Sequence, residues 1–239
     1  MRLLVTRPRD DAEAFAGLLR ARGHEAIIAP VMEVHFIPGA QLTCQGVQAV
    51  LATSANGIRA LAQRMERRDL TVYAVGPQTA EAARMAGFVP VINASGDSAQ
   101  LVETVAGQAD PKNGVLLHAA GAETAGRVKQ ALTARGFAVE TVVLYEALPA
   151  TQLPEAALEA LKNSALDGVL LFSPRSAKTF ATLVQQAKLG EECVGLVAFC
   201  ISAATAEALT PLMFSRVAVA GTPNQGAILD LIPGPEPVR

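Results

Sequence analysis

Six short turns follow directly on apolar runs. They are Thr6-Arg7-Pro8, Thr53-Ser54-Ala55-Asn56-Gly57, Gly76-Pro77-Gln78-Thr79, Ala119-Ala120-Gly121, Ser173-Pro174-Arg175-Ser176 and Ser202 to Thr205. In an open parallel sheet such turns lie beyond the carboxyl ends of strands, where helix N-termini present unpaired N–H groups. Each can accept a carboxylate. Taken singly, a Ser or Thr here is an ordinary helix cap; taken together, six donor-rich turns on one kind of edge describe an anion-binding surface. Tyr145 is one of only two tyrosines. It lies in an extended segment, where its hydroxyl can donate a proton, or where the ring can lie on the ladder with the hydroxyl in water. Tyr73 sits inside a strand pattern and is expected in the core.

Several other chemistries lack their residues. Gly121 and Gly126 have the glycine spacing of a P-loop, but Arg127-Val128 follows where Lys-Ser/Thr is required. No G-x-G-x-x-G follows the first strand and no G-x-S-x-G elbow is present. His24, His35 and His118 have no metal-ligand spacing, and Cys44, Cys193 and Cys200 form no C-x-x-C. Neither zinc nor a disulfide framework is expected, and reduced thiols suit a cytoplasmic protein.

The elements that must carry these turns come as repeats. Leu3, Leu4, Leu19, Arg22 and Gly23 recur as Leu116, Leu117, Leu132, Arg135 and Gly136, all at one offset. Val50-Leu51-Ala52-Thr53-Ser54 is echoed by Val169-Leu170-Leu171-Phe172-Ser173, and Ala74 to Ala80 by Cys200 to Ala206. The order is A–B–A–B. Each unit is an apolar run, a turn, and a segment of 3.6-residue periodicity, the pattern of β-α units in a parallel sheet covered on both faces. Asp10 or Asp11 marks a helix start; Gly23, Gly87 and Gly136 mark ends. Ile27 to Ile37 and Glu140 to Leu148 fit neither unit and read as extended linkers at equivalent places. The repeat alone favours a tandem pair split near residue 110. The paired linkers allow a second solution, a lobe made of 1–36 and 147–239 with a lobe of 37–146 inserted, its linker strand at 140–146.

A chain of 239 residues, 51% apolar and 18% charged, has ample material for two cores. A net charge of −2 without a basic stripe gives no nucleic-acid signal. Cys193 to Ala206 is too short to span a bilayer, and the N-terminus lacks a signal-peptide apolar region, so a cytoplasmic protein off the membrane is expected.

Thr6-Arg7-Pro8, Ala52 to Gly57, Tyr73-Ala74-Val75-Gly76-Pro77, Gly96-Asp97, Leu144-Tyr145, Phe172 to Ser176 and Ala204-Thr205-Ala206, in this order and spacing, closely resemble bacterial uroporphyrinogen-III synthases from Arg2 to about Leu231. The resemblance implies an α/β fold: two related lobes, each a parallel sheet flanked by helices, joined by a two-stranded linker, with the insertion topology. It implies a monomeric lyase that uses no metal or cofactor. Its substrate would be hydroxymethylbilane, a linear tetrapyrrole with eight carboxylates, closed to uroporphyrinogen III through a spiro intermediate in the cleft between lobes. Tyr145 is the implied acid. Ser54, Asn56, Thr79, Ser173, Ser202 and Thr205 are the implied substrate contacts, with Arg7 and Arg175 as charge partners. Ile201-Ser202-Ala203-Ala204 departs from the pattern by lacking the turn seen at Gly76-Pro77, and Ser202 is expected to substitute. A two-lobed binding protein for a small anion, without catalysis, is the reading from a different class.

Overall fold

The computed structural model describes residues 1–123 and 126–234. In chain order the elements are β1 (Arg2–Val5), α1 (Arg9–Ala21), β2 (Glu25–Ile28), β3 (Met32–Phe36), β4 (Val47–Ala52), α2 (Ala55–Arg64), β5 (Thr71–Ala74), α3 (Pro77–Met85), β6 (Val91–Asn93) and α4 (Ser98–Gln108). They continue with β7 (Val115–Gly121), α5 (Gly126–Thr133), β8 (Val139–Pro149), α6 (Glu155–Lys162), β9 (Gly168–Leu171), α7 (Pro174–Gln186), β10 (Val197–Cys200), α8 (Ala203–Glu207), β11 (Arg216–Val219) and α9 (Gln225–Leu231).

Packing divides the chain into two compact units, Met1–Glu33 with Leu148–Arg239, and Val34–Ala147. The first holds a five-stranded sheet in the order β11-β10-β9-β1-β2, the second a six-stranded sheet in the order β3-β8-β7-β4-β5-β6. Every pairing from β11 to β2 and from β8 to β6 is parallel. The sequence repeats fall on equivalent strands: β1 and β7 are one pair, β4 and β9 the other, and the order 11-10-9-1-2 mirrors 6-5-4-7-8. The first unit thus joins the first A segment to the last B segment, and the second unit holds the B and A segments between them.

Ile27 to Ile37, expected as one linker, is two strands in two different sheets. Pro30 has no N–H to donate, so the ladder stops there. Before it, β2 runs parallel to β1; after it, β3 lies at the edge next to β8. The bonds Ile37 N to Leu144 O (2.8 Å) and Ala150 N to Val31 O (2.9 Å) give β3 an antiparallel run against β8.

Alternation builds the cores. In the second unit Val50, Ala52, Val72, Leu117 and Ala119 face one side with Ile58 and Leu61 of α2. Ala49, Leu51, Tyr73 and Leu116 face the other with Leu101 and Val105 of α4 and Val128 and Leu132 of α5. In the first unit Leu3, Val5, Leu170 and Phe199 meet Phe15 and Leu19 of α1 and Ile228 of α9, while α6, α7 and α8 pack on β2, β9 and β10. The helix α1 forms because Ala12, Phe15, Ala16 and Leu19 share one buried stripe. Asp10 and Asp11 sit in its first turn and Arg20 in its last, each favourable to the helix dipole. Gly23 then stops it at φ 80°, where a Cβ would be strained.

Candidate functional site

In an open parallel sheet, ligands bind at the point where the strand order reverses. In the second unit that point lies between β4 and β7. β4 delivers Thr53 and Ser54. Ser54 is the N-cap of α2 and accepts a hydrogen bond from Asn56 N at 3.1 Å. The Asn56 carboxamide oxygen accepts from Arg59 Nη1 at 2.7 Å. Gly57 lets α2 press onto β7: a Cβ there would stand 2.6 Å from the Ala119 carbonyl oxygen.

Tyr145 reaches the same edge from β8. The register Ala120–Val143 is followed by Gly121–Tyr145, so Leu144 is an extra residue in the strand. Such a bulge re-aims the side chain that follows it. Consecutive residues of a regular strand point to opposite faces, yet Leu144 and Tyr145 both join the core beside α2. The phenol ring lies on Gly121, where a Cβ would be 2.6 Å from Cζ and 2.9 Å from the hydroxyl oxygen. Glycine is therefore required at 121 for the tyrosine to sit as it does.

Together Tyr145, Thr53 and Ser54 line a cavity of about 580 Å³, with Ser98, Glu123, Arg127 and Val128. Asp97 caps α4 there, accepting from Ala99 N (2.9 Å) and Gln100 N (3.0 Å). Ser98 and Arg127 were not selected from the sequence. Arg127 registered there only as a departure from a P-loop, and residues 124–125 of that loop lie outside the described residues. Thr79 is buried on α3 and lines neither this cavity nor its neighbour.

In the first unit the strand order reverses between β1 and β9. Thr6 is fully buried and its hydroxyl donates to Leu170 O at 2.7 Å, fastening the two strands. Arg7 lies 4.6 Å above the Phe172 ring, donates to Gln225 Oε1 at 2.8 Å and pairs with Asp11 at 3.4 Å. Its guanidinium is committed to the fold. Ser173 caps α7, accepting from Ser176 N at 3.0 Å. Ser202 caps α8, accepting from Thr205 N at 3.3 Å, in the position that uncapped Gly76 occupies before α3. Thr205 has no exposed surface, and its hydroxyl meets that of Ser202 at 3.0 Å. Arg175 lines a separate cavity of about 630 Å³ with Thr151, Lys178 and Thr179.

The motifs arranged around these two reversals are matched by a family model. The model for uroporphyrinogen-III synthase HemD covers residues 13–230. The chain belongs to the uroporphyrinogen-III synthase family. Members are cyclising lyases of tetrapyrrole biosynthesis. A uroporphyrinogen-III synthase of Synechococcus elongatus is 29% identical over 199 residues, 76% of this chain and 74% of that protein. The crystal structure of uroporphyrinogen-III synthetase from Helicobacter pylori 26695 aligns over 97% of this chain and 98% of its own, with 17% identity and a TM-score of 0.64, a likeness of fold.

Two further features of this family member bear on its chemistry. Cys193 and Cys200 are buried, and burial pushes their thiols up to about 12 and about 11, so neither is a nucleophile at neutral pH. His118, at the centre of β7, is fully buried with neither ring nitrogen partnered. Burial pushes its pKa down to about 4, so it is held neutral. Its register partner on β8, Thr141, also has an unpartnered hydroxyl. Among the described residues no cluster of His, Cys, Asp or Glu could hold a metal ion, and no helix is long and apolar enough to cross a membrane.

Proposed function

We propose that this chain closes hydroxymethylbilane to uroporphyrinogen III, with inversion of the terminal ring. The observation that carries this reading is the bulge at Leu144, which sets Tyr145 on Gly121 at the strand reversal beside the Ser54 cap. A phenol so placed can donate its proton to the departing hydroxyl. The C–O bond breaks, the oxygen leaves as water, and the pyrrole nitrogen supplies the electron pair. Its proton returns to the phenolate, leaving a neutral azafulvene. The terminal ring then attacks through its substituted carbon to give the spiro intermediate, which fragments and recloses with that ring reversed.

The substrate supplies the reactivity; the protein must fold it and keep water away. Orientation of this kind is worth up to ~7–11 kcal/mol. Backbone N–H groups at the helix starts after Ser54, Gly76, Ser173 and Ser202, with hydroxyls of the capping serines, are suited to hold carboxylates without strong acids or bases. Asn56 and Arg175 flank these starts. Thr79 and Thr205, being buried, would act through their backbone or by steadying the turn, and Arg7 by fixing Phe172 under Ser173.

The test is incubation with hydroxymethylbilane and separation of the isomers. Isomer III in excess over the uncatalysed isomer I is expected. Tight binding with only isomer I formed would make the chain a binding protein.

A further inference from the structure

The 580 Å³ cavity that holds Tyr145 and Ser54 is not isolated. A second of about 480 Å³ runs between α4 and α5, and Ser98, Arg127 and Val128 line both. The two cavities thus share a wall, and its only charged side chain is Arg127.

The other cations near this unit's strand reversal are occupied. Arg135, at the far end of the second cavity, is held by both oxygens of Glu103. Arg59 donates to Asn56. Glu123, an anion lining the 580 Å³ cavity alone, has a partner of its own. Arg127, exposed at the start of α5, has no hydrogen bond or ion pair among the described residues, and of the cations lining the two cavities it alone is so placed. Val128 beside it is buried at 2% exposure and anchors α5, so the position of residue 127 is set by the core.

The location of Arg127 breaks a local rule. It stands in the first turn of α5, where the helix dipole is positive and an acid is favoured. That turn contains no acidic residue. Acids occupy the first turns of α1 and α6 but not those of the other α-helices described; α7 also opens on a cation, Arg175, but that one has a partner of its own. A cation set against the dipole, with no anion to offset it, costs helix stability. Such a local conflict is expected where a ligand supplies the missing charge.

We propose that Arg127 is a specificity-determining residue, which grips one carboxylate side chain of the substrate at the junction of the two cavities. This rests on the function proposed above. A guanidinium presents two parallel donors to a carboxylate, and the Ser98 hydroxyl lies on the same wall to join them. Holding one ring by its carboxylate beside Tyr145 fixes which face of the chain meets the azafulvene.

The test compares Arg127→Gln, Arg127→Lys and Lys129→Gln, the last an exposed cation of the same helix that lines neither cavity. Losing a charge-assisted hydrogen-bonded pair weakens binding roughly tenfold to a hundredfold. R127Q should raise KM by that factor with kcat changed much less, R127K should recover part of it, and K129Q should match the parent. Melting temperature should fall in none of the variants and should rise slightly in R127Q, where the cation set against the dipole is removed. A parental KM in R127Q overturns the proposal.

A second measurement separates this from the reaction itself. Binding of uroporphyrin III, a stable octacarboxylate, is followed with its octamethyl ester as control. R127Q should bind the acid roughly tenfold or more weakly and lose part of the salt dependence. If the parent binds uroporphyrin and R127Q does not, the site stands even for a chain that forms no isomer III. Equal binding by parent and R127Q, or no binding by the parent, refutes it.

Discussion

Acidification should destabilise this protein through His118. The ring is fully buried in β7 without a partner for either nitrogen, and its pKa lies at about 4 against 6.5 for a free histidine. Above pH 6.5 both folded and unfolded states hold it neutral, and it contributes no slope. Between 6.5 and about 4 the unfolded chain takes a proton that the folded chain refuses, so stability falls by about 1.36 kcal/mol per pH unit. Below about 4 both states are protonated and the slope ends. The whole window is worth on the order of 3 kcal/mol, and the step from pH 7.5 to 5.0 about 2 kcal/mol. The assay is urea unfolding by far-ultraviolet circular dichroism at those two pH values, for the parent and for His118→Leu. Carboxylates and His24 titrate in both proteins, so the difference between the two profiles isolates the ring. The leucine variant should lose about 2 kcal/mol less on acidification. It should also be no less stable at pH 7.5, since two unsatisfied buried nitrogens are removed. Parallel profiles would refute the reasoning.

Tyr145→Phe should lower kcat by ~10²–10⁴-fold with KM nearly unchanged and isomer III still the product, read by isomer-resolved turnover. Full turnover with unaltered thermal stability would leave the tyrosine as a packing residue. Gly121→Ala should displace the phenol ring and reduce turnover comparably, with about 1–3 kcal/mol lost in urea unfolding. Ser54→Ala with Ser173→Ala should cost about 1 kcal/mol per cap, raise the apparent KM and let isomer I appear in the product. Residues 34–147 expressed alone should unfold cooperatively in urea, whereas a molten product would show that this segment depends on the rest of the chain.

Much of the framework is legible as repeated local pattern. The apolar runs at Leu3, Val50, Leu116 and Val169 are central strands buried on both faces, hence their continuous hydrophobicity. Ser54, Ser173 and Ser202 cap helices because a short polar side chain after a strand has little else to bond. The site is less legible where it depends on register or long-range contact. Nothing in Val142-Val143-Leu144-Tyr145 announces a bulge, yet the bulge decides which way Tyr145 points. Arg7 reads as a free cation until α9 supplies Gln225, 218 residues later. Arg127 carries no motif, and what marks it is that it has no partner among the described residues.

The crossed use of the repeats sets an order of events during synthesis. Central strand β1 finds its partner β9 only after some 165 further residues, as the bond from Arg2 N to Asp167 shows. At about 5–20 residues per second, Leu3, Leu4 and Val5 wait on the order of ten to thirty seconds for one of their two neighbours. Long before that, β4 emerges, the repeat counterpart of β9 and already shaped to lie beside a strand of the β1 type. The nascent chain therefore meets a decoy before it meets its partner. Joining β1 to β4 would leave β7 for β9 and give two tandem lobes from the same segments. Refolding and expression yields should accordingly respond to anything that hurries β7 onto β4, because each closure of that pair removes the decoy.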